Sequence, residues 1–173
     1  MVNMSVNLGT VAPIGFDHIH LSPWLACLRE LGCTVVQVYR NQEANVSLSQ
    51  MKDALSATGM PCDSLHGVFG ERYDPSSPDE NSRRFAVDSF KAEADLAIEL
   101  GGKLVVVHCS TIRHEGVSED QKRRRLKQLI RSAGELGEYG AKTGVTFAFE
   151  NLPAYHVIGS DVAEFLDILN LAA

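Results

Sequence analysis

Three polar residues lie where apolar segments of this 173-residue chain end, and their types could support acid–base chemistry. Glu150 follows the short aromatic run Val145–Phe149, His108 follows four apolar residues, and His66 ends a weaker apolar segment. A short β-prone run bounded by Gly144 and Pro153 predicts a buried strand. Burying a carboxylate costs roughly several kcal/mol unless it is paired or coordinates a metal, so we expect a functional role for Glu150.

The remaining chain alternates between patterns typical of strands and of helices. Glycines stop several of the predicted helices, and Ser-Pro or Ser-X-X-Gln/Glu patterns begin them. The predicted strands are Ser5–Val11, Cys33–Tyr39, Met60–Val68, Lys103–Cys109 and Val145–Glu150. The predicted helices begin at Ser22, Ser47, Ser77, Ser118 and Ser160, and the last is expected to run to about Leu169.

Five such units with nearly continuous apolar strands predict a parallel sheet covered by helices. A doubly wound sheet also fits this pattern, but it predicts a glycine-rich phosphate turn, GxGxxG or GxxxxGK[ST], which the sequence lacks. In a barrel the ends of successive strands face one common site, which suits His66, His108 and Glu150. The fold class we expect is therefore α/β, of the (β/α)8 TIM-barrel type.

Composition excludes some classes of function. The formal net charge of −6 argues against a general nucleic-acid binder. No apolar run is long enough to cross a membrane, and the N-terminus has no signal-peptide pattern. Because no two of the four cysteines have CxxC spacing, we expect all four to be small buried hydrophobes in a reducing compartment, with cytoplasm as the location.

Several segments, in this order, resemble the xylose isomerase-like TIM-barrel superfamily, which includes sugar phosphate isomerases/epimerases and endonuclease IV-like enzymes. They are residues 64–67, 77–80, 94–102, 104–108 and 149–152. The resemblance implies that Glu150 is a metal ligand and an acid/base residue, and that His66 and His108 are metal ligands or line the substrate site. It further implies that Asn151, beside Glu150, contacts the substrate.

Two imidazoles and one carboxylate suit a divalent metal, with Mn, Zn, Mg and Co as candidates. The implied reaction is proton transfer next to a carbonyl in a small carbohydrate or hydroxy-carbonyl substrate, through a metal-stabilised enediolate. Two alternatives stay open. One is an endonuclease IV-like hydrolase of abasic DNA, which a salt-dependent gel shift would reveal; the other is a non-catalytic half-barrel, which turnover would exclude.

The sequence departs from the family pattern at two places. Gln37 stands where the family commonly has a glutamate late in the second strand, so we assign it no role. The chain ends at Ala173, where a sixth strand is expected, so we predict a single incomplete domain of five βα units over residues 1–173. Open strand edges would then favour self-association across the open side.

Two further segments contain charged residues, one in a loop at the predicted site and one on a predicted helix. The connection 67–76, with Arg72 and Tyr73, is long for a strand-to-helix loop, and long loops at this rim often line or cover a site. The basic run 122–125 lies early in an amphipathic helix, where a solvated outer face is the better interpretation.

Overall fold

A computed structural model describes residues 8–16 and 20–172, and within them five strands alternate with five α-helices. All neighbouring strands are parallel, and their order in the single sheet is the order in the sequence. The strands are β1 Gly9–Ile14, β2 Val35–Arg40, β3 Cys62–His66, β4 Leu104–His108 and β5 Thr146–Glu150. The helices are α1 Leu21–Glu30, α2 Leu48–Thr58, α3 Glu80–Leu100, α4 Glu119–Thr143 and α5 Val162–Ala172.

The helices cover one face of the sheet, which we call the outer face. Side chains alternate along each strand, and every second one is buried beneath the helices. These outer-face residues are Ala12, Ile14, Val36, Val38, Leu65, Val105 and Val107, all at most 4% exposed. The opposite, inner face is less covered, since Val11 keeps 45% of its surface and His66 and His108 are half-buried.

The helix ends follow the predicted capping chemistry at most positions. Ser47 and Ser118 each form a capping box with the glutamine three residues later. Glycines in the left-handed region end α2, α3 and α4, as expected for residues without a Cβ. The predicted apolar stripe of α4 is buried at Leu129, Ala133 and Leu136.

Some predicted boundaries were wrong. Residues 5–7 lie outside the described part, and β1 extends past Val11 to Ile14, with Pro13 tolerated because β1 is an edge strand. Helix α1 begins at Leu21, so Ser22 is not its N-cap. Helix α3 is capped by Asp79, whose carboxylate accepts from the Ser82 N–H, rather than by Ser77.

The expectation that Glu150 is buried was also wrong. Strand β5 pairs only with β4 among the described strands, so one side of it is uncovered. The Glu150 side chain therefore keeps 45% of its surface exposed. The carboxylate is open to solvent and to small molecules.

The cysteines divide between core and surface. Cys33, Cys62 and Cys109 are buried as predicted, but Cys27 is exposed on α1, so the prediction of four buried cysteines was wrong at this position. None of the four forms a disulfide. No helix in the described ranges, 8–16 and 20–172, combines the length and the apolar character needed to span a bilayer.

Candidate active site

The three polar residues predicted from strand ends converge on the inner face of the sheet. His66, His108 and Glu150 are the last residues of β3, β4 and β5. The parallel register places His108 beside Glu150 and His66 beside Val106 of β4. Because parallel strands end at the same edge, the three side chains meet at the carboxyl end of the sheet.

The distances within this cluster are short. His108 Nε2 lies 3.1 Å from Glu150 Oε2, and the His66 and His108 ring centroids are 5.2 Å apart. One ligand atom from each of the three residues lies within 4.8 Å of the others. The predicted convergence is thus present in the structure, while the roles of the residues stay predictions. Asn151 follows β5 and is exposed. The structure shows no contact between its side chain and the three-residue cluster.

A β-bulge in β3 determines which face His66 occupies. Val36 pairs with Cys62 and the next residue, Gln37, pairs with Ser64, so Asp63 is an extra residue in β3. Strict alternation from the core residue Cys62 would place His66 on the outer face with the helices. The extra residue reverses the alternation, so that Leu65 enters the core and the His66 ring meets His108.

Neighbouring groups hold the His66 ring in place. Its Nδ1 lies 2.9 Å from the Gly67 carbonyl oxygen, and an Nδ1–H that donates to this oxygen leaves the Nε2 lone pair free. The Tyr39 ring packs edge-on against the imidazole, with centroids 5.2 Å apart. The ring is therefore positioned by backbone and aromatic contacts before any ligand arrives.

The electrostatic environment of His108 favours its neutral form. Burial lowers the pKa of His108 below its usual value, and the adjacent His66 lowers it further, while Glu150 acts in the opposite direction. A neutral imidazole retains a lone pair at neutral pH. Cys109, next in sequence, has its pKa raised to about 12 by burial, so it remains a thiol.

A cavity of about 450 Å³ adjoins the cluster at the same edge of the sheet. Tyr39 and Phe69 line it, and the same rings contact the histidines: the Phe69 centroid is 5.5 Å from both His66 and His108. Sequence reasoning missed both aromatic residues. Tyr39 could have been found, because it lies near the end of β2 as the histidines do in their strands.

Gln37, the position of the departure from the family pattern, lies deeper along the sheet. Its Nε2 is 3.5 Å from Ser64 Oγ, and Ser64 Oγ donates to Asp63 Oδ1 at 2.7 Å. These contacts connect β2 to the bulge in β3. Gln37 does not contact the three-residue cluster.

A family profile described as a xylose isomerase-like TIM barrel matches residues 13–172. The chain belongs to this family, as the resemblance implied. It is similar to D-erythrulose 1-phosphate 3-epimerase of Brucella abortus (strain 2308), with 30% identity over 121 residues, which are 68% of this chain and 39% of that protein.

Solved structures of sugar epimerases share the fold. The Escherichia coli 3-keto-D-glucoside 4-epimerase superimposes with a TM-score of 0.73 at 16% identity, over 97% of this chain and 65% of that one. D-psicose 3-epimerase of Clostridium cellulolyticum H10 gives 0.73 at 15% identity, over 96% and 60%. The chain thus spans about two fifths of the curated relative and about three fifths of these structures. The similarity to the curated epimerase of Brucella abortus does not favour the alternative of an abasic-site hydrolase.

Proposed function

We propose that this chain carries part of the active site of a sugar isomerase or epimerase, with His66, His108 and Glu150 as ligands of a divalent cation. The observation that carries this proposal is the approach of their ligand atoms to within 4.8 Å of one another. The sequence similarity to an epimerase of a four-carbon sugar phosphate supports the class of reaction and suggests a small carbohydrate as the substrate.

The chemistry of the donor set fits a divalent transition metal. Two imidazoles and a carboxylate at the edge of a sheet suit zinc, manganese or cobalt better than an all-oxygen site would. When bound, the cation would supply Lewis acidity that polarises the carbonyl of the substrate. The half-burial of both histidines and the exposure of Glu150 leave one side of the cluster open to a substrate.

Glu150 is the acid/base residue in this proposal. Its carboxylate is accessible from the inner face, and its Oε2 lies 3.1 Å from His108 Nε2. Glu150 would remove the proton from the carbon next to the carbonyl. Return of a proton from water to the opposite side of that carbon gives the epimer. Return of the proton to the former carbonyl carbon, with transfer of the neighbouring hydroxyl proton to the former carbonyl oxygen, gives the isomer. Asn151 would donate from its amide to a substrate hydroxyl.

The location of the protein in the cell belongs to the same proposal. A cytoplasmic location fits the four free cysteines.

A metal titration tests the proposal. We expect calorimetry with MnCl2 or ZnCl2 to show about one saturable site per chain, and Glu150→Gln to weaken it by at least about tenfold through loss of a charged ligand. Glu138→Gln is the matched control, since Glu138 is exposed on α4 away from the strand ends. Absence of saturable binding, or equal affinity in wild type and Glu150→Gln, would refute the metal site.

A second readout tests the acid/base role. In D2O, we expect NMR to show exchange of the hydrogen next to the carbonyl of D-erythrulose 1-phosphate in the presence of metal and wild-type chain. Glu150→Gln should abolish this exchange, and Glu138→Gln should leave it unchanged. Undiminished exchange with Glu150→Gln would contradict the role proposed for Glu150.

A further inference from the structure

We propose that the cavity beside the histidines binds the phosphate group of a phosphorylated substrate, and that Arg72 is the residue that recognises it. This inference rests on the proposed function and deepens it, since it names a short-chain sugar phosphate as the class of substrate. It concerns a site separate from the three proposed metal ligands.

The cavity and the three-residue cluster share a wall. Tyr39 and Phe69 line the cavity, and their rings also contact His66 at centroid distances of 5.2 and 5.5 Å. At about 450 Å³, the cavity falls within the roughly 300–1,000 Å³ typical of small-molecule sites. A substrate of a few carbons whose carbonyl reaches the cluster would therefore place its far end in this cavity.

Arg72 is the cation that the cavity leaves available. Arg40 also lines it, but its guanidinium is paired with the buried carboxylate of Glu93. The Asn41 amide is engaged as well, since it donates to the Gly15 carbonyl. Within the ranges that the structure describes, no carboxylate lies within ion-pair distance of Arg72. An unpaired guanidinium in an aromatic cavity is a suitable partner for a phosphate.

Aromatic stacking holds the Arg72 guanidinium in place. Its central carbon lies 4.5 Å from the Phe85 ring centroid and 5.9 Å from the Tyr73 centroid. A guanidinium that stacks through its face keeps the N–H groups at its edge free to donate. Those in-plane donors match the oxygen geometry of a phosphate, whose negative charge strengthens the hydrogen bonds and is absent from a neutral sugar terminus.

The loop that carries Arg72 is fixed at both ends of its short 3₁₀ helix, Glu71–Tyr73. At the start, Gly70 has φ of 108°, a left-handed conformation that favours glycine. Just after it, the buried Asp74 carboxylate accepts from Ser76 N–H at 2.8 Å and from Arg125 of α4 at 3.0 Å. The segment is therefore preorganised, and binding costs little ordering of Arg72.

Glu43 allows a second test, in which the expected change in phosphate affinity has the opposite sign. It is an exposed carboxylate that lines the same cavity, so it repels an anion bound there. Removal of its charge should strengthen phosphate binding, whereas removal of the Arg72 charge should weaken it. A general effect of net charge would give the same two signs, so an arginine away from the cavity, Arg124, is needed as a control for position.

The test uses inorganic phosphate as the probe, with EDTA present so that no metal takes part. We expect calorimetry to show saturable phosphate binding to the wild-type chain, at least about tenfold weaker in Arg72→Gln. Glu43→Gln should bind more tightly. Arg124→Gln, which removes the same charge from an exposed position of α4, should bind as wild type does.

The opposite results would overturn the inference. They are wild-type affinity in Arg72→Gln, an equal loss in Arg124→Gln, or no saturable binding to the wild-type chain. Failure here is distinguishable from failure of the metal site, because Glu150→Gln should retain phosphate binding in EDTA and Arg72→Gln should retain metal binding. Since Arg72 is exposed, its replacement should leave the fold intact, which circular dichroism would verify.

Discussion

Gly67 connects the stability of the sheet to the geometry of the candidate site. It follows His66 directly, and its N–H donates to the Val106 carbonyl of β4 at 3.0 Å. A Cβ at this position would lie 2.6 Å from that carbonyl oxygen and 2.9 Å from the Phe90 ring. Because one obstacle is backbone and Phe90 is fully buried, neither can move cheaply.

The cost of Gly67→Ala follows from these contacts. Overpacking of a dense core typically costs about 1–3 kcal/mol. A weakened hydrogen bond to Val106 adds roughly 0.5–1.5 kcal/mol. The lower entropy of an unfolded alanine chain offsets only about 0.4–1 kcal/mol. The expected net loss in the free energy of unfolding is about 2 kcal/mol, or roughly 4–8 °C in Tm for a domain of this size.

The assay is urea and thermal unfolding followed by circular dichroism, with Gly137→Ala as the control. Gly137 lies inside α4 with open space around its hypothetical Cβ, so the same change should stabilise the protein by about 0.5–1 kcal/mol. The Gly67→Ala variant should also bind metal more weakly, because the clash displaces His66. Equal or greater stability of Gly67→Ala would refute the reasoning.

Two further predictions concern charge and assembly. The pKa of Glu80 is lowered from its usual 4.5 to about 2, chiefly by Arg83 and then by Arg131. The Glu80 carboxylate therefore stabilises the folded chain above pH 4.5, and this stabilisation is lost as the pH falls towards 2. In urea unfolding, Glu80→Gln should be less stable than wild type at pH 7, with a difference that closes over this pH range; a constant difference would contradict the pairing. Among the described strands, β1 and β5 each pair with one neighbour, and Val11 is exposed. We therefore expect the chain to self-associate at micromolar concentration, and Val11→Lys to weaken the self-association. A monomeric wild-type chain in analytical sedimentation would contradict this prediction.

The order of elements could be predicted because local signals and packing agree in this chain. Ser47 and Ser118 cap the helices that they were predicted to begin, and the runs before His108 and Glu150 form the predicted strands. Ser77 was less decisive, since Asp79 two residues later is an equally good cap and is the one used. Capping preferences identify a helix start to within a turn but do not choose between neighbouring candidates.

The exposure of Glu150 and the stacking of Arg72 could not be predicted in the same way. Whether a strand is central or at an edge depends on pairing across the sheet, which the apolar content of one strand does not report. The stacking of Arg72 on Phe85 joins residues from a loop and a helix through the turn at Gly70. Such a contact has no sequence period that would reveal it.

His66 shows why a strand-end rule alone is not enough to place a site. Strict alternation counted from Cys62 sends His66 towards the helices, where an imidazole would be buried away from His108 and Glu150. The extra residue Asp63 corrects this, and no glycine marks the bulge in the sequence. A deletion of Asp63 would remove the bulge and leave Cys62, Ser64, Leu65 and His66 in regular alternation, so Leu65 should stay in the core and His66 in the cluster. The cluster therefore depends on the register of β3 as much as on the three side chains that form it.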